Sequence, residues 1–292
     1  MRIFPLRQRA ADEGHDPPVI VDAHHHVWRL ARGDYEWLTP DLPIHRDYGL
    51  EDLRPLLGDI DTTVLVQAAP TGAETEFLLQ TAAASQGLVG GVVGWTDLAA
   101  PDAPERIAAL AVKAPLLKGL RPMLQDVAQT EWILRREIAP AMHAMVDAGL
   151  RFDALIRPRH LPVVLRLCTS HPHLAVVIDH GAKPDIAADA FEPWASDIAA
   201  VARQTNARCK LSGLVTEAAS DWQVDHLRRY VDHLLGTFGP ARLMWGSDWP
   251  VVNLAAGYAR WRAASIELLH KLADNERHAV LGGTAAAFYG LG

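Results

Sequence analysis

The sequence predicts an α/β fold, a closed (β/α)8 TIM barrel with parallel strands and its active site at their C-terminal ends. Three observations carry this expectation. Short β-branched runs alternate with alanine- and leucine-rich helical stretches along the whole chain, the pattern of a parallel sheet covered by crossover helices. Eight such runs can be counted, the number that closes a barrel. Each ends in polar residues, which a barrel gathers on one face.

The strands are expected at 19–24 (VIVDAH), 62–68 (TTVLVQA), 88–95 (LVGGVVGW), 117–122 (LKGLRP), 150–156 (LRFDALI), 174–180 (LAVVIDH), 207–213 (ARCKLSG) and 242–248 (RLMWGSD). Between them ETEFLLQTAAAS, PERIAALAV, AMHAMVDAG, LPVVLRLCTSHP and DHLRRYVDHLLGTFG return apolar residues at helical spacing. Residues 27–53 are rich in proline and aromatics and only weakly periodic, and read as a long loop over the active face. No internal repeat or Gly/Ser linker interrupts the chain. The expected organisation is an N-terminal extension, 1–18, and one domain, 19–292.

Composition narrows the function. The 292 residues carry 28 basic and 35 acidic side chains, a net charge of -7, so the positive field needed for nucleic acid is missing. No apolar run approaches the roughly 18 residues of a membrane span, and the N-terminus has no apolar signal core. Cys168 and Cys209 lie far apart without CxxC spacing, which argues against a disulfide framework or zinc knuckle and for a cytoplasmic setting.

The polar strand ends form the candidate site. His24 and His26 are two residues apart, so on an extended strand both point the same way, with His25 between them facing the barrel wall. Asp22 alternates to the same side as His24, either as an orienter for a histidine or hydrogen-bonded locally. Arg121 follows strand four, His180 ends strand six and Asp248 ends strand eight. Each has a plainer alternative: a lone histidine is usually structural, Asp248 could cap a turn, and Arg121 could be a structural ion pair. Gln67, Gln125, Arg157, Asn253, Trp28, Tyr35, Trp37 and Trp95 are the candidate substrate contacts.

The stretches DAHHHVW, GLRPMLQD, VIDHGAKP, CKLSGL and MWGSDWPV, in this order, resemble the amidohydrolase superfamily. The nearest likeness is to its sugar-lactonase branch, which includes L-fuconolactone, L-rhamnonolactone and pyrone-dicarboxylate hydrolases. The resemblance runs from Val19 to Tyr289. It implies a distorted (β/α)8 barrel with functional residues His24, His26, His180 and Asp248, to which the expected mechanism adds Arg121 as a group that could polarise the carbonyl. A binuclear metal centre is not expected, because strand five lacks a terminal histidine and Lys118 is out of phase with Arg121. His24, His26, His180 and Asp248 could together hold a single divalent ion such as zinc, but no cofactor is required.

The expected reaction is hydrolysis of an aldonolactone, most simply L-fuconolactone or a related deoxy-sugar lactone, with Asp248 as general base toward water. The alternatives are a metal-dependent decarboxylase or amide hydrolase, a pyrone-dicarboxylate lactonase, and a noncatalytic sugar-binding barrel. The expected partner is a small-molecule sugar lactone, with no nucleic acid and no membrane. The sequence specifies no oligomeric state.

Overall fold

The computed structural model describes residues 19–291. The extension assigned to 1–18 lies outside them. Eight strands form a parallel sheet in sequence order: β1 (Val21–His25), β2 (Thr62–Val66), β3 (Val89–Gly94), β4 (Leu117–Leu120), β5 (Arg151–Ala154), β6 (Val176–Ile178), β7 (Arg208–Leu211) and β8 (Leu243–Trp245). Every strand read from the sequence is present, each shorter than expected because the polar residues at its end leave the ladder for the loops. Beyond β8 the chain closes the barrel. The Asp248 amide donates to the His24 carbonyl at 2.8 Å, and the His26 amide donates to the Trp249 carbonyl at 2.7 Å. Helices Gly72–Ala83, Ala103–Lys113, Ala139–Asp147, Leu161–Ser170, Trp194–Gln204 and Val224–Phe238 cross over between successive strands from β2 to β8. Among the described residues no helix is long and apolar enough to cross a membrane.

Valines and other apolar side chains fill the lower barrel. Val21, Ala23, Val64, Val66, Val93, Val177 and Met244 form a buried cluster with Phe288 and Tyr289 of the last helix, Thr284–Tyr289. Arg151 and Arg208, the first residues of β5 and β7, hold Phe288. Arg151 Nε donates to its carbonyl at 2.5 Å, and the Arg208 guanidinium lies 5.0 Å from its ring centre. The last helix therefore stoppers the end of the barrel opposite the candidate site.

Register in β1 corrects one expectation. Asp22 pairs with Thr63 and His25 with Leu65, so three steps on β1 match two on β2. The extra residue is a bulge, which reverses the alternation between Asp22 and His24. Asp22 therefore lies on the opposite face from His24, and its Oδ1 accepts the backbone amides of Ser247 at 2.8 Å and His24 at 3.3 Å. It ties β1 to the turn after β8 and touches no histidine ring. His25 shares its side of the sheet, with Nε2 2.9 Å from Thr63 Oγ1, as its expected outward direction requires.

Close approach at two glycines lets the site form. A Cβ at Gly246 would stand 2.7 Å from His24 Cβ, and one at Gly213, where φ is 63°, would stand 2.5 Å from His180 Nδ1. Gly246→Ala should push β1 from the turn after β8 and cost about 1–3 kcal/mol by overpacking. Urea unfolding measures this, and an unchanged midpoint would contradict the close contact.

Candidate active site

The site is built in two storeys on the barrel axis. The lower storey is ionic. Lys210 on β7 is paired with Met244 of the barrel core in the sheet register, so it points inward and is fully buried. Its Nζ lies 2.6 Å from Asp153 Oδ2, 3.0 Å from Asp179 Oδ1 and 3.0 Å from His24 Nδ1. Tyr289 donates its hydroxyl to Asp153 Oδ2 at 2.7 Å. Arg121 Nη1 donates to Asp179 Oδ2 at 3.1 Å, and Arg121 Nη2 donates to the Gln67 carbonyl. Two cations thus face two carboxylates in a water-poor interior, where an unmatched charge is costly. Burial alone would raise the Asp179 carboxyl, but Lys210, His24 and Arg121 outweigh it and hold the group well below the usual carboxylate range.

The upper storey is the pocket floor. Asp248 Oδ1 is 3.3 Å from His26 Nε2, 3.7 Å from His24 Nε2 and 3.9 Å from His180 Nε2. His26 Nδ1 lies 2.8 Å from the Val66 carbonyl, and His180 Nδ1 lies 2.8 Å from Ser212 Oγ. Both rings are thereby aimed. Asp248 has φ 58° and His180 φ 55°, left-handed conformations that bulky residues seldom adopt and that cluster at functional sites. Burial drives all three imidazoles toward the neutral form: His180 down to about 4, His26 below its ordinary value and His24 well below it, with Lys210 adding to the effect at His24. Burial works against the Asp248 carboxylate too, yet His180 and His26 beside it leave it below the ordinary range. The result is a carboxylate base ringed by neutral rings.

A cavity of about 150 Å3 opens above this floor, lined by His26, Arg121, His180 and Asp248 with Trp37, Gln125, Met123, Asp126, Leu155 and Lys183 among its walls. Its rim shares Trp37, Met123 and Asp126 with a wider mouth of about 840 Å3 that also holds Asp34, Glu36, Trp95, Asp97 and Trp132.

The expected catalytic residues therefore converge, while the expected substrate contacts divide. Trp37 and Gln125 line the pocket, and Trp95 stands in the outer mouth. Gln67 does not reach it: its Nε2 donates to the Arg121 carbonyl at 2.7 Å, so it positions the arginine. Trp28 is wholly buried, donating Nε1 to the Arg46 carbonyl and packing edge-on against Trp37 and Tyr48, and Tyr35 is buried against it. Trp28 therefore braces Trp37 from behind, with Tyr35 packed on Trp28. Arg157 is exposed outside the pocket lining, and Asn253 lines a separate surface cavity with Trp249 and Arg260. The sequence reading missed Lys183 and Met123 on the wall and Lys210 and Asp153 below, and took Asp179 only as a polar strand end.

His24, His180 and Asp248 each offer a ligand atom within 4.8 Å of the others, and His26 Nε2 adds a fourth donor 3.2 Å from His24 Nε2. In donor type and spacing this set fits one divalent ion such as zinc. Lys118 is no part of it. Its side chain lies along β3 beside Gly91, and the lysine inside the barrel comes from β7.

An amidohydrolase family model matches residues 21–291. The chain belongs to the amidohydrolase family. This amidohydrolase is 43% identical over 276 residues to an L-fucono-1,5-lactonase of Burkholderia ambifaria, covering 92% of this chain and 94% of that protein. It is 35% identical to an L-fucono-1,5-lactonase of Burkholderia multivorans, over 93% of this chain and 96% of the relative. An amidohydrolase from Burkholderia multivorans, crystallised with bound zinc, superposes with a TM-score of 0.89 at 34% identity, over 94% of this chain and 100% of that one.

Asp179→Asn should cost about 3–5 kcal/mol in urea unfolding at neutral pH, because it leaves Lys210 and Arg121 with one carboxylate between them. Asp179 has a folded-state pKa below its unfolded value, so its contribution is present above about pH 4 and fades as the pH falls. The gap between wild type and variant should narrow in acid. A gap under about 1 kcal/mol at neutral pH would contradict the ionic storey's role.

Proposed function

We propose that this amidohydrolase opens a sugar lactone to its aldonic acid, with L-fucono-1,5-lactone as the substrate that its relatives favour. The observation that carries the reading is Asp248, an anionic carboxylate at the floor of a pocket large enough for one small ring, among imidazoles held neutral. A lactone is an activated ester. Its hydrolysis needs a base for water, positive charge at the carbonyl oxygen and a proton for the departing ring oxygen.

Asp248 takes the proton from water as the water oxygen attacks the lactone carbonyl carbon. Arg121 and Lys183, both on the pocket wall, supply positive charge for the oxygen of the tetrahedral adduct. The adduct collapses by breaking the bond to the ring oxygen, and the protonated Asp248 returns its proton to that oxygen. A divalent ion held by His24, His180 and Asp248 would add Lewis-acid polarisation of the carbonyl. The side-chain chemistry above is complete in protons without it.

Asp34, Glu36, Asp97 and Asp126 give the outer mouth a carboxylate-rich lining. Such a mouth favours a neutral lactone over a dicarboxylated pyrone and repels the aldonate product. Trp37 and Trp95 offer faces for a sugar ring. The free, buried Cys168 and Cys209 suit a reducing cytoplasm.

Proton release from a panel of aldonolactones tests the assignment, with L-fucono-1,5-lactone expected to give the highest kcat/KM. Asp248→Asn should lower kcat about 10²–10⁴-fold while the chain stays folded. Wild-type turnover in that variant would remove the mechanism. Because the Asp248 pKa is depressed, kcat/KM should stay level through neutral pH and fall only below about pH 4, as the base becomes protonated. An acid limb centred near pH 6 would point to a different base.

A further inference from the structure

Of the nine tryptophans, Trp28, Trp194, Trp222, Trp245, Trp249 and Trp261 are buried. The other three, Trp37, Trp95 and Trp132, are each partly exposed, and all three line the outer mouth. A large apolar ring left in water is a cost that folding does not require, so three at one opening mark a surface kept for a ligand. They come from different loops: Trp37 follows β1, Trp95 follows β3, and Trp132 begins the short helix Trp132–Leu134 after β4. Only the fold brings them together.

The chemistry of the mouth selects the ligand. Trp37 spends its one polar group on the protein, donating Nε1 to the Ala68 carbonyl at 2.7 Å, so it offers a ligand only ring face and apolar edge. Glu36, Asp97 and Asp126 stand exposed beside the rings, while Asp34 is tied to Arg32 and to Thr71 Oγ1, each at 2.7 Å. Among the described residues no lysine, arginine or histidine lines the mouth. Aromatic faces with acceptors and no cation suit a neutral, hydroxyl-rich ring, whose C–H faces stack and whose hydroxyls donate. An anion would be repelled.

Position selects the point of attachment. The mouth is built from the loops after β1 to β4, whereas His180 and Asp248 reach the pocket from β6 and β8. A lactone with its carbonyl at Asp248 turns the opposite side of its ring toward the neck that pocket and mouth share, formed by Trp37, Met123 and Asp126. In a 1,5-lactone the atom across the ring from the carbonyl carbon is C4. The pocket of about 150 Å3 holds one ring, and the mouth of about 840 Å3 has room for another. We propose that the outer mouth is a second sugar subsite, and that the enzyme opens aldonolactones bearing a glycosyl group on O4, with the second ring stacked among Trp37, Trp95 and Trp132. The inference rests on the lactonase reading. The bond broken is still the lactone C–O bond, water supplies the new acid oxygen and the proton for the ring oxygen, and the glycosidic bond stays intact.

Proton release compares L-fucono-1,5-lactone with its 4-O-β-D-galactopyranosyl derivative. The derivative should have the higher kcat/KM, by about 10-fold, mostly through a lower KM. Trp132 lines the mouth and not the pocket, so Trp132→Ala should cut the ratio of the two kcat/KM values by about 5–10-fold, and Trp132→Phe, which keeps a ring, should restore most of it. A 4-O-(2-trimethylammonioethyl) lactone, with a cation in place of the sugar, should gain less than the galactosyl lactone. Independently of turnover, the parent disaccharide 4-O-β-D-galactopyranosyl-L-fucose should change the tryptophan fluorescence of wild type saturably and bind Trp132→Ala about 5-fold more weakly.

A galactosyl lactone opened no more efficiently than the plain one, or a ratio that Trp132→Ala leaves unchanged, overturns the proposal. So does a larger gain for the cationic lactone, which would make the mouth a cation site. If Trp132→Ala does not fold, the wild-type ratio alone decides. If neither lactone is opened, the lactonase reading falls, and the fluorescence titration judges the subsite separately: no saturable change, or equal affinity in Trp132→Ala, overturns it.

Discussion

An ammonium group in the middle of the barrel organises everything above it. Lys210 is held there by Asp153 and Asp179, and Asp179 in turn anchors Arg121, whose guanidinium enters the pocket wall. Gln67 closes the loop by binding both the chain and the side chain of Arg121. The pocket floor is therefore not a set of independent side chains at strand ends. It is the upper surface of a buried ionic lattice, stoppered from below by Phe288 and Tyr289. Such lattices contribute little net stability against an apolar core, but losing one member leaves an uncompensated charge, so they fix a single arrangement.

That rigidity bears on chemistry. A carboxylate base works only while nothing nearby protonates it, and Asp248 has three histidines within 4 Å of one oxygen. Burial keeps the rings neutral, and their outer nitrogens are committed to Lys210, the Val66 carbonyl and Ser212. The zinc-bound relative shares the fold at 34% identity. The donor set here is compatible with such an ion.

Much of this was legible in the sequence, and the exceptions have particular causes. His24 and His26 could be paired because a strand repeats every two residues, and His180 and Asp248 followed from the convergence of strand ends. Asp22 was misplaced by one bulged residue that periodicity cannot register. Lys210 and Asp153 were overlooked and Asp179 was read only as a polar strand end, although each interrupts or ends an apolar run: CKL, FDA and VID. A charge inside a strand buried on both faces must be matched by another, and three of them in neighbouring strands were the available signal. The loop over 27–53 has no period, so Trp37 in the pocket could not be told from Trp28 and Tyr35 behind it.

The central claim is that Asp248 is the ionised base at the floor of the pocket. Neutron diffraction from deuterium-exchanged crystals at neutral pH reads its protonation directly. The account predicts no deuterium on either carboxylate oxygen of Asp248. Deuterium on either oxygen would contradict it.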